Sequence, residues 1–185
     1  IITYNFKKFN KKIFFNNISE DKRQILVEFN AFHSDHVMLS YISNYLAKKY
    51  KSKIVGFYNF GLLLSDLKYT FIKNLKWNLG KIFNYKNFGV YYSFGVNKIF
   101  KPEISKLIEN EANIIFKKKI KNIKKKKDIY SFKIKNIKFG DLFYDTYLKR
   151  FYEPSIDINS EKFKGFFLEF IKLIVYWQNY LNNNN

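Results

Sequence analysis

Apolar and polar positions along this chain follow two periods. Residues 24–29 (QILVEF) form a short run of strand formers between polar flanks, which predicts a buried strand. A loop is expected over 30–35. Val37, Met38, Tyr41, Ile42, Tyr45 and Leu46 then recur at helical spacing, so a helix is predicted over 35–50, with Ser34 or Asp35 as its N-cap. Residues 53–58 (KIVGFY) predict the next strand. Strand, helix and strand in this order form a βαβ unit, hence a parallel strand pair with a right-handed crossover.

Beyond this point helical spacing dominates. A helix is expected over 67–83, weakened near Gly80. Residues 88–100 are ambiguous between a strand and a turn at Gly95. Pro102 sits where a helix would place its first residue, and Ile104, Leu107, Ile108, Ile115 and Phe116 mark one face down to about Lys121. The lysine run 124–127 reads as a solvated helix end or loop. A short helix is expected over 141–151 behind Gly140, and a long one over 160–181 with Phe163, Phe167, Phe170, Ile174, Trp177 and Leu181 as its stripe. Trp77 and Trp177 are expected in the core. The fold class is therefore α/β, Rossmann-like, with a small parallel sheet and a helix-rich second half. Residues 1–23 read as a linker or incomplete element and 24–181 as a single α/β domain. Residues 182–185 read as a low-complexity link to a missing C-terminal domain. The chain begins at Ile1 rather than Met, which reads as a fragment.

Composition changes the weight of several residues. The chain has 185 residues, 34 of them basic and 15 acidic, for a formal charge of +19. It has no cysteine, which excludes a disulfide scaffold, thiolate zinc ligation and a cysteine nucleophile. Its two histidines are too few for a histidine-rich metal cage. No uninterrupted apolar run approaches the roughly 20 residues of a membrane span. The most apolar stretch, 166–177, contains Glu169 and Lys172. Lys, Asn, Ile, Phe and Tyr dominate, the signature of A/T-rich coding. Much of the charge is then solvating lysine. Only Arg23 and Arg150 supply the bidentate guanidinium that nucleic-acid readout favours, which disfavours a nucleic-acid partner.

Two constellations carry chemistry. The first is Glu28 to His36, at the end of the first strand and the start of the next helix, the edge where parallel sheets hold ligands. His33 or His36 could serve as a general base or bind a sugar or phosphate group. Alternatively Ser34 and Asp35 cap the helix and the histidines are ordinary polar residues. No glycine-rich phosphate loop occurs here, which disfavours dinucleotide binding. The second is Gly140 to Phe151. On a helix Asp141, Tyr144, Asp145 and Leu148 share a face, and two carboxylates with a phenol can hydrogen-bond and stack on a sugar. Equally, Asp141 could cap the helix and Asp145 could pair with Lys149. Two carboxylates on one helix are a weak metal signal, and no metal site is assigned. Lys7, Lys8, Lys11 and Lys12, interleaved with Phe6, Phe9, Phe14 and Phe15, make a basic-aromatic N-terminus suited to an anionic membrane surface, and lysines of 117–127 add a second block.

The stretches LVEFNAFHSDHVMLSYISNYLAKKY, SFGVNKIF and IKFGDLFYDTYLKRFYEPSID resemble the N-terminal half of bacterial surface-carbohydrate (capsule or lipopolysaccharide) biosynthesis glycosyltransferases of GT-B type. The resemblance covers most of 24–177. It implies an acceptor-side domain that transfers a sugar from a nucleotide-sugar to a glycan acceptor. The expected location is cytoplasmic, with the option of peripheral contact on the inner face of the cytoplasmic membrane. No cofactor would be bound by this segment, because the nucleotide-sugar would sit on a further C-terminal domain, and no metal is required. His33 or Asp145 would take the acceptor hydroxyl's proton. Glu28, His36, Gly140, Asp141, Tyr144 and Arg150 would hold the substrate. Only two clear strands are legible, fewer than a full Rossmann domain carries. The rival readings are a basic aromatic nucleic-acid-binding module and a non-catalytic helical interaction protein.

Overall fold

The computed structural model describes residues 2–14, 23–30, 37–58 and 71–184. These form α1 (Ile2–Phe14), β1 (Gln24–Phe29), α2 (Val37–Tyr50), β2 (Lys53–Tyr58), α3 (Phe71–Ile82), α4 (Asn87–Ser93), β3 (Val96–Phe100), α5 (Lys106–Ile120), α6 (Lys126–Tyr130), the two-residue strands β4 (Lys133–Ile134) and β5 (Ile137–Lys138), α7 (Gly140–Phe151) and α8 (Glu161–Asn183). The class is mixed α/β, with a small parallel sheet and a helix-rich second half. Where the sequence reading draws one domain over 24–181, the chain gathers into two compact units. The first carries α1 through β3 together with the residues from Leu181. The second carries α5 through Tyr180 of α8.

In the first unit the strand order is β1-β2-β3, and both pairings are parallel. Gln24 faces Lys53 and Phe29 faces Tyr58, so the βαβ unit expected from QILVEF and KIVGFY is present. The third strand comes from the ambiguous 88–100 stretch. Its first half is α4, which stops at Phe94, and Gly95 turns the chain at φ 83°, a conformation that favours glycine. The Asn44 amide holds that turn by donating to the Phe94 carbonyl at 2.6 Å. Phe29, Ile54, Tyr58, Trp77, Phe88, Tyr91, Val96 and Ile99 form the core. Trp77 lies within it as expected, edge-on to Phe29 and Tyr58.

Within 1–23, read as a linker or incomplete element, residues 2–14 form a full helix. Phe6 and Phe14 lie against Phe94 at ring distances of 5.9 and 5.2 Å. Between them Asn10 is buried and donates to the Ser93 hydroxyl at 3.2 Å. The polar Asn10 at the centre of the docked face hides its period from a hydrophobicity reading.

The second unit packs around α8. Ser160 caps that helix by accepting from the Phe163 amide. Phe163, Phe167, Phe170 and Ile174 are buried along the expected stripe, whereas Trp177 is half-buried and Leu181 is exposed. Phe143 of α7 sits among them. Pro102 does not open α5: the cap is Ser105, whose hydroxyl accepts from the Ile108 amide, and Pro102 is buried in the segment before it. The lysine run 124–127 leads into α6. The Asp128 carboxylate accepts from the Lys124 and Lys125 amides at 2.8 and 2.9 Å and holds its own pKa below the usual carboxylate value.

Buried phenols give both units an alkaline limit. Burial pushes Tyr91 of the first unit and Tyr176 of the second from 10.0 up to about 12. Between those values the unfolded chain ionises while the folded chain keeps its protons. Stability is then complete below pH 10 and falls as the pH rises to about 12. Urea midpoints measured across this window should decline, and less steeply in Tyr91→Phe. A flat profile would contradict the burial of these hydroxyls.

Candidate functional site

The expected site residues fall in both units. In the first, Glu28 stands half-buried near the carboxyl end of β1, between Val27 and Phe29, which turn into the core. Its backbone carbonyl accepts from the Tyr91 hydroxyl at 3.2 Å. One residue on, the Asn30 carbonyl accepts from the Asn87 amide at 2.9 Å. These bonds tie α4 to the end of β1. His33 and His36, with the caps Ser34 and Asp35, lie outside the described residues. The same edge holds a group that sequence reasoning missed. Lys101, just past β3, donates to the Asn74 side chain at 2.9 Å and stands 5.3 Å from the Trp77 ring centre. Its position directly after a parallel strand is the signal that could have found it.

In the second unit α7 carries the Gly140–Arg150 constellation. Its N-terminus is set by Gly140, which packs on α6: a Cβ there would stand 2.6 Å from the Tyr130 backbone and closer still to the Ile129 carbonyl oxygen. Gly140 thus has a packing reason of its own. Asp141 is the second residue of the helix rather than its cap, and it pairs with Lys138 at 3.0 Å in an exposed bridge. Asp145 is exposed, and among the described residues no ion pair joins it to Lys149. Tyr144 is half-buried.

The close approach at Gly140 brings Tyr130, the last residue of α6, over this face. The Tyr130 and Tyr144 rings lie 4.9 Å apart and are tilted by 32°. Partial burial raises the Tyr130 pKa, and the neighbouring Tyr144 hydroxyl and the charges of Asp141 and Asp145 raise it further. Two phenols and two carboxylates are therefore gathered on one accessible surface. Tyr130 is the member the sequence reading lacked, because it comes from another helix. Tyr147, by contrast, is a core residue. Arg150 is exposed in the last turn of α7, where a cation favours the helix dipole.

Among the described residues no group of His, Asp and Glu is arranged as metal ligands, and no helix is long and apolar enough to cross a membrane. Compared with family models, curated proteins and solved structures, the chain matches none.

Proposed function

We propose that this chain is the acceptor-side part of a sugar transferase that builds a surface polysaccharide, working at the cytoplasmic face of the membrane with a nucleotide-sugar supplied by a further domain. The observation that carries the reading is the surface of Tyr130, Tyr144, Asp141 and Asp145. Sugars present flat C–H faces and a rim of hydroxyls. Tyrosine rings stack on the first, and carboxylates accept hydrogen bonds from the second. The Asp145 carboxylate is accessible to an acceptor hydroxyl and takes its proton as that oxygen attacks the anomeric carbon of the nucleotide-sugar, whose bond to the nucleotide's phosphate breaks and releases the nucleotide with the electron pair. Asp141, fixed by Lys138, orients the sugar. The parallel sheet of the first unit supports the same reading, since its carboxyl edge places Lys101 beside Asn74.

Ligand-observed NMR with neutral and acidic oligosaccharides tests this. Saturation should transfer from the aromatic side chains to a glycan, and Tyr144→Ala or Asp145→Ala should weaken binding about tenfold, the effect of losing a stacked ring or a charged hydrogen bond. Binding left unchanged by both substitutions, or no glycan binding at all, would overturn the assignment.

A further inference from the structure

A cationic cavity lies in the first unit, between α1 and the start of α4. Tyr4, Lys7, Lys8 and Lys11 of α1, with Asn84, Gly89 and Tyr92, line a cavity of about 250 Å³. Three cations face it, and none of the described residues lining it is acidic. Lys7 and Lys11 are one helical turn apart, as are Lys8 and Lys11, so like charges repel along the helix. Lys7 is also half-buried: a Cβ on Gly89 would come within 2.9 Å of its Nζ and 3.1 Å of its Cδ. The same Cβ would meet the Asn84 backbone carbonyl first, so glycine is needed there for the backbone and the Lys7 side chain lies over it. An anion set among the three ammonium groups would relieve their mutual repulsion. No carboxylate among the described residues pairs with Lys7, Lys8 or Lys11.

The helix that carries these lysines is held in place. Asn10, between Lys7 and Lys11 on the chain, is anchored to Ser93, and Phe6 and Phe14 dock on Phe94. The repulsion is thus built into a fixed helix rather than spread over a floppy one. Tyr4 and Tyr92 add phenolic donors to the lining.

We infer that this cavity binds a phosphate or diphosphate group. A phosphate ester carries nearly two negative charges and several acceptor oxygens, which suits three ammonium groups better than a single carboxylate does. The volume is below the roughly 300–1,000 Å³ of sites that enclose a whole drug-sized ligand. The cavity therefore holds the charged group and leaves the remainder of the molecule outside. That group comes either from a soluble phosphorylated compound or from a phospholipid headgroup.

Calorimetry on the full chain with pyrophosphate, and co-sedimentation with phosphatidylcholine vesicles with and without phosphatidic acid, separates these sources. The double variant Lys7→Gln/Lys11→Gln is compared with Lys117→Gln/Lys118→Gln on α5, which removes the same charge elsewhere. Pyrophosphate should bind the wild type and the α5 variant alike, and the α1 variant at least about tenfold more weakly. If phosphatidic acid vesicles are also bound, displaced by pyrophosphate and lost in the α1 variant, the source is a lipid headgroup. Pyrophosphate binding without vesicle binding assigns a soluble phosphate. Absence of pyrophosphate binding overturns the site. So does equal weakening in both variants, which would mean that only the overall charge matters.

Discussion

Phe143→Ala is expected to destabilise the second unit by about 3–5 kcal/mol, the usual loss for truncating a buried phenylalanine. Phe143 is fully buried, and the rings of Phe163, Phe167 and Phe170 meet it edge-on at 5.8, 5.2 and 5.2 Å. Removing it leaves a void walled by rigid rings on α8, which cannot collapse without losing their contacts with one another. A whole domain has only about 5–15 kcal/mol in hand, so a large share of the unit's stability goes with one side chain. Trp177 stands in this unit and Trp77 in the other. Urea unfolding followed by fluorescence in a Trp77→Phe background therefore reports the second unit alone. A loss below about 1 kcal/mol would mean that Phe143 is not at the centre of this core.

Gly140→Ala sets two effects against each other. Alanine favours helix over glycine by about 1 kcal/mol. Against this, the new methyl would stand 2.6 Å from the Tyr130 backbone and nearer still to the Ile129 carbonyl. Backbone atoms cannot rotate away as a side chain would, so α6 must move bodily. Overpacking of this kind costs about 1–3 kcal/mol even where side chains can adjust. A net loss of about 2 kcal/mol or more is expected. The substitution also reads out the candidate site. Displacing α6 draws Tyr130 away from Tyr144, Asp141 and Asp145, so its phenol should titrate nearer the ordinary tyrosine value. A variant as stable as wild type, with Tyr130 unchanged, would show that α6 and α7 do not touch here.

Local pattern reveals some of this architecture and conceals the rest. QILVEF and KIVGFY are strands wherever they fall, because both are apolar runs too short for a helix. Val96–Phe100 is a strand of the same sheet, yet its burial is not alternating: Val96 and Ile99 are buried, Asn97 and Lys98 exposed. The register shift between Ile54 and Val55 of the partner strand breaks the period. α1 is obscured by Asn10, a polar residue buried for its hydrogen bond to Ser93. The face of Asp141, Tyr144 and Asp145 is legible, because helical spacing alone puts these residues together. Tyr130 is not, since only the approach of α6 to Gly140 brings it there. The lysines of α1 stand out as a basic run, but their cavity needs the turn before α4, which no local period foretells. Glu28 is where the strand places it, while His33 and His36 lie outside the described residues.

The parallel sheet also sets the order of events as the chain finds its fold. Gln24 pairs with Lys53, and Val55 with Lys98. Each pairing closes a loop of some tens of residues before any ladder bond compensates the lost chain entropy. In the second unit the helices α6 and α7 and the small hairpin between them are near neighbours in sequence. These local contacts form early, whereas α8 meets α5 only across long separations, Phe116 with Phe167 and Glu111 with Asn179; in the first unit Phe29, Ile54 and Ile99 stay uncovered until the sheet's loops close. Conditions that slow folding should therefore drive aggregation through the first unit's strands, and a chaperone would spend its time there.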